Sequence, residues 1–441
     1  MKTMTTQRRI HPLGAITIFT AAALASSGCG IGSGSVPTAI AGPALHGTIF
    51  GGQQPVSGST LQLYAAGTTG YGSAATPLLT SSVLSDSSGN FSITGKYTCP
   101  SASAEVYIVA TGGNALATPN PSLAMMDALG PCGNLGPSTF VFINELTTVA
   151  AVWSLSPFMT GPAAIGSTPT NSLGLANAFD DVNTLADTGH GTSPGPGRPT
   201  GATVPSTEIN TLGNILAACV NSTGGTAGDG TPCGNLFNAT KVSGVAPSDT
   251  ITAAMNIAQH PASNVLALYQ LVAPSSPFQP SLSAQPNDFT VAITFSQSIT
   301  SPSTLAADSG GNIWITNKNE ATATKLSHTG SFLLSYTGTL NSPSGIAIDS
   351  ADNAWVTNSG NNTISRISSS GSAIGSPVSG GGLSVPRSIA FDSIGNAWVA
   401  NYNGAVGSVS AFTSDGAAIS GVNGFTAAGI TGPSAIAVSP H

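Results

Sequence analysis

One ten-residue phrase that combines carboxylate and amide side chains occurs three times in the last third of the chain. The copies are DSGGNIWITN (residues 308–317), DSADNAWVTN (349–358) and DSIGNAWVAN (392–401). Carboxylate and amide oxygens could bind a metal ion, and a positioned carboxylate could act as a general base. A residue that every repeat shares is normally architectural, however, because a catalytic site breaks the symmetry of a repeat array. We therefore predict that the aspartates begin turns and that the tryptophans pack between neighbouring repeats.

The spacing of the repeats predicts the elements that position this phrase. Each copy follows a proline, and these prolines are 41, 43 and 47 residues apart: Pro302, Pro343, Pro386 and Pro433. A period in the low forties with short apolar segments is typical of four-stranded propeller blades. In the second copy the four strands would be residues 345–349, 353–358, 363–368 and 372–378. The aspartate turns would then lie on one face of the disc, and the prolines and the terminal asparagines would lie on the opposite face.

The repeats resemble those of NHL-repeat and streptogramin-lyase-like six-bladed propellers, which read P-x-G-I-A-hydrophobic-D-x-x-G-N-hydrophobic-W-V-x-N. The likeness covers about residues 301–441, and it implies a fold rather than a function. In lyase- and lactonase-type propellers, residues just before the innermost strand line the central mouth, where they hold a metal or act as a base. The corresponding residues here are Ser303, Ser344, Arg387 and Ser434, and none is a carboxylate or an imidazole.

The residues that we predict for binding lie on this same face of the disc. They are Arg387, Tyr402, Asn317, Asn358 and Asn401, a hydrogen-bonding surface suited to a surface glycan or a peptide. We predict no catalytic residue, metal or cofactor, because Glu320, His328 and His441 share no blade position. The alternative is a lyase- or lactonase-type enzyme whose catalytic blades lie beyond residue 441. Three complete blades and the start of a fourth would not close a propeller, so we expect a truncated chain or pairing with another chain.

The N-terminal residues have the features of an export signal. Lys2, Arg8 and Arg9 precede an uncharged, mostly apolar run over residues 13–25, which is too short to span a bilayer. Residues 1–29 would be a signal peptide ending in a lipobox, with lipidation at Cys29, and residues 30–42 a linker. The alternative is cleavage after Ala25, which would release a soluble protein. We therefore predict either a cell-envelope protein that meets the membrane through a lipid anchor or a secreted one.

Four further cysteines predict two disulfides, since an even number in an exported chain indicates oxidised pairs. The shortest loops result from pairing Cys99 with Cys132 and Cys219 with Cys233, although four cysteines allow three connectivities. A zinc site is the alternative, and the absence of a C-x-x-C spacing disfavours it.

Residues 43–115 alternate as short strands do, with Gly, Pro and Ser at intervals of about ten residues, and they predict a β-sandwich. The order G-x-hydrophobic, P-V-x-G, L-x-L-Y and D-x-x-G-x-F-x-I resembles the carboxypeptidase-regulatory-like modules of bacterial surface proteins. That resemblance implies a spacer or an adhesive support. Asp86 would be a turn residue and Phe91 a core residue.

Residues 116–275 change to helical spacing and predict a small helical domain stapled by disulfides. Helices are predicted over residues 138–155 and 171–187, from Pro205, and from Asp249 with a break or kink at Pro261. Two PCGNL phrases, at Pro131 and Pro232, predict similar cysteine-anchored turns.

Glu145 lies in an otherwise apolar helix of this region. We interpret it as a structural residue, because no second carboxylate or histidine shares its helix. A Pro/Ser linker over residues 276–288 leads into the propeller blades, residues 289–441.

The sequence therefore predicts a multidomain α+β protein with a β-sandwich, a helical domain and an incomplete propeller. A net charge of -7 and the lack of any basic stripe disfavour nucleic-acid binding. The predicted function is an exported, lipid-anchored bacterial surface protein that uses its propeller as a non-catalytic binding or scaffold module.

Overall fold

The computed structural model describes residues 38–94, 97–116, 118–403, 406–427 and 429–439. The predicted signal peptide, its Cys29 and most of the following linker lie outside the described residues, as does His441. Among the described residues, no helix is both long enough and apolar enough to cross a membrane.

Two sheets form the first part of the described chain. Their strands, with two short strands beside them, are β1 (Ile40–Ala41), β2 (Leu45–Gly51), β3 (Gln54–Pro55), β4 (Thr60–Ala65), β5 (Thr76–Pro77), β6 (Val83–Leu84), β7 (Asn90–Ile93), β8 (Thr98–Cys99), β9 (Glu105–Thr111), β10 (Ala124–Pro131) and β11 (Phe140–Ile143). One sheet has the order β10-β9-β4-β5 with β6 also on β4, and the other has the order β11-β2-β3 with β7 also on β2. Apolar side chains from both sheets meet in one core cluster, which includes the predicted core residue Phe91.

Strands β10 and β11 lie in the segment that we predicted to be helical. Residues of β11 alternate between exposed and buried, and β11 pairs in parallel with β2. The buried helix begins at Glu145 rather than at residue 138, because Asn144 caps it: the Asn144 side chain accepts hydrogen bonds from the backbone N–H groups of Leu146 and Thr147. The limits of the predicted domains stay predictions.

Six helices follow among the described residues: α1 (Glu145–Leu155), α2 (Ser172–Leu185), α3 (Ser206–Val220), α4 (Pro232–Ala239), α5 (Thr250–Gln259) and α6 (Val265–Tyr269). Short strands accompany them: β12 (Met159–Gly161), β13 (Ala164–Ile165), β14 (Ala202–Thr203) and β15 (Thr294–Phe295). The predicted helices at α2, α3 and α5 are confirmed, and α5 ends at the residue before His260 and Pro261. Helix α4 corrects the prediction of a turn at Pro232, because Thr231 caps a helix there while Pro232 occupies its first turn.

The strands β9 and β10 are buried on both faces. Val106 and Ile108 of β9 belong to the core between the two sheets, whereas Tyr107 and Val109 pack into the core formed with the helices. On β10, Met125 and Met126 divide between the two cores in the same way. This pair of strands therefore contributes side chains to two hydrophobic cores.

Both predicted disulfide pairings are confirmed. Cys99 pairs with Cys132, and Cys219 pairs with Cys233. The first links β8 to the residue that follows β10, and the second links α3 to the first turn of α4. The half-cystines are buried, so each bridge holds two elements together at the edge of a core.

Three successive sheets form the C-terminal region. Their strands are β16 (Pro302–Ala307), β17 (Ile313–Asn317), β18 (Thr322–Leu326), β19 (Phe332–Tyr336), β20 (Pro343–Ile348), β21 (Ala354–Asn358), β22 (Thr363–Ile367), β23 (Pro386–Phe391), β24 (Ala397–Asn401) and β25 (Ser408–Phe412). The first sheet has four antiparallel strands, and the second and third have three each. Only isolated bridges at Ala373 and Val378 remain of the fourth strand predicted at residues 372–378. The region is propeller-like, with blade 1 (β16–β19), blade 2 (β20–β22) and blade 3 (β23–β25).

Buried acidic side chains make the stability of the N-terminal sheets and of the helices depend on pH. Both carboxylate oxygens of Glu145, which is fully buried, accept hydrogen bonds of 3.0 Å from the backbone N–H of Gly52. Burial raises the pKa of Glu145 from 4.5 to about 7, although the Gly52 N–H opposes the rise. Burial also raises the pKa of Asp127, whose two carboxylate oxygens have no partner among the described residues. These carboxyls fit the fold best when they are protonated.

We predict that Glu145→Gln flattens the pH dependence of stability. A carboxyl whose pKa rises on folding adds stability that is fully present below its unfolded pKa, here about 4.5, and that is lost as the pH rises through about 7. Glutamine keeps the acceptor for the Gly52 N–H without the charge. The fall in unfolding free energy between pH 5 and pH 8 should therefore be smaller in this variant than in the unsubstituted chain, by up to about 3 kcal/mol. Urea denaturation at both pH values measures the difference.

The matched control is Glu320→Gln. Glu320 is exposed, and its pKa is lowered chiefly by the hydrogen bond from the Ser301 hydroxyl, so it titrates below this window. An equally steep decline in Glu145→Gln and in the unsubstituted chain would contradict the prediction.

Candidate functional site

The aspartates of the repeated phrase are occupied by their own turns. In blade 2, Oδ1 of Asp349 accepts hydrogen bonds of 2.9 Å from the backbone N–H groups of Ala351 and Asn353. Its Oδ2 accepts a hydrogen bond of 3.0 Å from the indole N–H of Trp355, which is 1% exposed. Asp392 of blade 3 makes the same contacts with its own turn and with Trp398. The predicted role of these aspartates as turn residues is thereby confirmed.

Blade 1 replaces the indole donor with a lysine. The ammonium Nζ of Lys325 lies 2.8 Å from Oδ2 of Asp308 and 5.2 Å from the ring centroid of Trp314, and all three residues are buried. The indole N–H of Trp314 has no partner among the described residues. Burial of Asp308 pushes its pKa up, but hydrogen bonds from Lys325 and Asn312 outweigh burial and lower the pKa. This aspartate is therefore an ionised structural partner.

The three asparagines that we predicted for binding are fully buried, which corrects that prediction. Asn358 is 0% exposed, and its amide Nδ2 donates to the hydroxyls of Thr363 and Ser365 at 3.0 and 2.9 Å. Its Oδ1 accepts from the backbone N–H of Asn341 at 3.0 Å. Equivalent bonds occupy the other two amides, Asn317 and Asn401. These amides join the strands of one blade and offer nothing to a ligand.

Arg387 interrupts a link between successive blades. The Ser303 hydroxyl of blade 1 donates to the carbonyl of Pro343 at 3.1 Å, and the Ser344 hydroxyl of blade 2 donates to the carbonyl of Pro386 at 2.6 Å. Arg387 occupies the corresponding place in blade 3, directly after Pro386. At this position blade 3 has a long cation in place of a hydroxyl that ties one blade to the next.

Arg387 and Tyr402 come together as one exposed pair. The guanidinium carbon of Arg387 lies 4.3 Å from the ring centroid of Tyr402, within the range of a cation–π contact. Tyr402 is 39% exposed, and Arg387 is exposed as well. No hydrogen bond or ion pair of the Arg387 side chain occurs among the described residues. Of the five residues predicted for binding, these two therefore keep polar groups open to solvent.

A cleft of about 440 Å³ lies among the loops on this face of blade 3, and its lining does not include either residue of the pair. Its lining includes Ser384, Asn403, Asn423 and Thr426, together with the apolar Leu383 and Val406. Asn403 follows Tyr402 directly in sequence, and Ser384 lies three residues before Arg387. Sequence reasoning missed the cleft, because its walls come from three loops that share no repeated motif.

The residues that could have supported an enzyme are dispersed. Glu320 accepts a hydrogen bond from the Ser301 hydroxyl beside blade 1. His328 follows β18, so it lies at the end of blade 1 that carries the aspartate turn, and its Nε2 is 3.0 Å from Oδ2 of Asp180 in α2. No group of three or more His, Cys, Asp or Glu side chains arranged to hold a metal occurs in the described parts of the chain.

We predict that Asn358→Ala destabilises the fold without affecting any ligand. Removing the amide leaves the backbone N–H of Asn341 without its acceptor and takes a donor from the hydroxyls of Thr363 and Ser365, which costs about 1–3 kcal/mol of unfolding free energy. Chemical denaturation measures the loss. Asn319→Ala is the control, since Asn319 is exposed, its side chain makes no hydrogen bond among the described residues, and the change should alter stability by no more than about 0.5 kcal/mol. Equal stability of the two variants would overturn the architectural role.

One family model, that of the NHL repeat, matches this chain within blade 2. The NHL repeat model matches residues 340–367, which include β20, β21 and β22. No curated protein matches the chain at a significant level.

Solved structures that resemble the chain include two lyases. A streptogramin B lyase shares 22% identity over 26% of this chain and 38% of that chain, with a TM-score of 0.23. A catalytically inactive virginiamycin B lyase from Staphylococcus aureus with quinupristin shares 18% identity over 29% and 44%, with a TM-score of 0.26. Hydrazine synthase of Kuenenia stuttgartiensis shares 14% identity over 31% and 38%, with a TM-score of 0.27.

The chain thus spans less than half the length of each of these structures. The C-terminal region of this protein is propeller-like and contains an NHL repeat.

Proposed function

We propose that this protein is an exported protein of the bacterial cell envelope whose propeller-like region serves as a non-catalytic binding module. Arg387 and Tyr402 are the residues that make the contact. The observation that carries the proposal is the break in symmetry at Arg387, where a hydroxyl that ties blades together in two earlier positions is replaced by an exposed cation stacked on an aromatic ring. An exposed, preorganised polar pair of this kind suits recognition of a partner outside the chain.

Export is supported by two independent features. The positive N-terminal residues and the apolar run over residues 13–25 suit a signal peptide, and two disulfides suit an oxidising compartment. In this proposal Cys29 carries a lipid that anchors the protein to the membrane. The N-terminal sheets then act as a β-sandwich spacer of the carboxypeptidase-regulatory type, which holds the binding module away from the bilayer.

An enzyme of the lyase or lactonase type is the rival proposal, because the similar structures include two lyases. Its chemistry would need a carboxylate or an imidazole just before the innermost strand of a blade. Those places hold Ser303, Ser344 and Arg387 in the described blades. The binding role accounts for these residues better.

We predict that Arg387→Ala abolishes ligand recognition while Lys318→Ala does not. Both changes remove one exposed cation from the same face of the blades, but Lys318 belongs to blade 1, whereas Tyr402 belongs to blade 3. The measurement is binding of the complete protein and both variants to glycan and peptide arrays. For every array ligand that the unsubstituted protein binds, the binding signal of Arg387→Ala should be at least tenfold lower. Equal loss in both variants, or none in either, would refute the proposed site.

We predict that Cys29→Ser moves the protein from the membrane fraction to the soluble exported fraction. The substitution removes the thiol that would receive the lipid and leaves the apolar run intact. Fractionation of a bacterial host that expresses the full chain measures the shift, and labelling with a fatty-acid analogue reports lipidation directly. Release of the unsubstituted protein after cleavage at Ala25 would instead support a secreted form.

A further inference from the structure

The two faces of the blades differ in charge. We call the face that carries the aspartate turns the turn face, and the face that carries the loops after β17, β21 and β24 the loop face. In blades 2 and 3 the turn face holds Asp349, Asp352, Asp392 and Asp415. The described loop-face residues of the same blades, 337–342, 359–362, 379–385, 402–403, 406–407, 426–427 and 429–432, include no charged residue.

Arg387 is the cation that stands at the edge of this uncharged face. Blade 1 adds Lys318 and Glu320 to the loop face, and their charges offset each other. The chain as a whole has a net charge of -7, so its average field repels anions. An anion would find a favourable potential on the loop face only near Arg387, because the acids of blades 2 and 3 lie at the other end of the strands.

The contact with the Tyr402 ring leaves the Arg387 guanidinium available to a planar anion. The Arg387 guanidinium lies over the Tyr402 ring at 4.3 Å, and its N–H groups have no hydrogen-bond partner among the described residues. A guanidinium edge matches a carboxylate with two parallel hydrogen bonds. Arg366 of blade 2 is not a competing site, because it stacks on Trp355 and donates to the backbone carbonyl of Asp415 at 2.6 Å.

The surroundings of the pair suit a sugar rather than a peptide. Ser384, Asn403, Asn423 and Thr426 bring hydroxyl and amide groups to the cleft on the same face, and the last three are exposed. Such groups hydrogen-bond readily to the hydroxyls of a sugar ring. A peptide that inserts apolar side chains is served less well, because five of the cleft's lining residues are polar and three are apolar. Tyr402 adds a partly exposed aromatic surface for the C–H groups of a sugar.

We propose that the Arg387–Tyr402 site and the cleft on the same face bind a carboxylate-bearing sugar within a glycan. The carboxylate pairs with the edge of the Arg387 guanidinium, and the ring hydroxyls contact the polar side chains of the cleft. This inference rests on the proposed binding function and narrows its ligand to one chemical class.

The test compares acidic glycans with their neutral methyl esters. Short oligogalacturonates, oligoalginates and sialyllactose are titrated calorimetrically into the complete protein, each beside its own methyl ester, at low and at physiological salt. We expect at least one acid to bind at least tenfold more tightly than its ester. We expect the preference to fall to less than threefold in Arg387→Gln, since glutamine retains hydrogen bonding without charge. Affinity for the acid should weaken as salt increases.

A second variant separates this inference from the proposed function. Lys318→Gln makes the same change of charge on blade 1 and should leave the preference for the acid unchanged. Equal affinity for acid and ester, lost in Arg387→Gln, would overturn the carboxylate inference while the binding site stands. Stronger binding of acidic peptides than of any acidic glycan would also overturn it. Failure of every glycan and peptide to bind the folded protein would reject the inference and the proposed function together.

Discussion

The indole of a tryptophan, held between successive blades, is the interaction on which the propeller-like region depends. Trp355 packs with Ile389 and Val399 of blade 3, and its ring meets Phe391 edge-on at 5.5 Å. The buried N–H of this ring donates to Asp349, which lies in the turn six residues earlier. In blades 2 and 3 the spacing of six residues lets one aspartate cap its own turn and also accept from the indole.

Much of this region follows from the sequence, because turns and large buried rings have local causes. The period of the prolines, the aspartate turns and the tryptophan contacts needed no knowledge of distant parts of the chain. The asparagines were different. Whether the amide of Asn358 points inward depends on the strand paired with it, where Thr363 and Ser365 offer two hydroxyls on one side. Paired hydroxyls on alternate residues of the next strand are a signal that could have shown this.

The first two regions show a similar division. The cysteine pairs and three of the helices could be predicted, because loop length and helical periodicity are properties of nearby residues. The strand β11 could not, since FVFI reads equally well as part of an apolar helix, and only its pairing with β2 decides between the two. In the candidate site, Arg387 could be found because it departs from the serines of its neighbours. The cleft could not be predicted from the sequence, because it forms only where three loops come together in space.

The doubly buried strands β9 and β10 have a consequence for how this protein can change. They are a common wall of two interiors, so loss of either the flanking sheet or the helices would leave a row of apolar side chains facing water. Melting of one core would expose apolar side chains of β9 and β10, so we expect the chain between β2 and α6 to unfold cooperatively. Recombination at residue 115 would separate β9 from β10 and would therefore divide both hydrophobic cores. Evolution can lengthen or replace the blades beyond it far more freely.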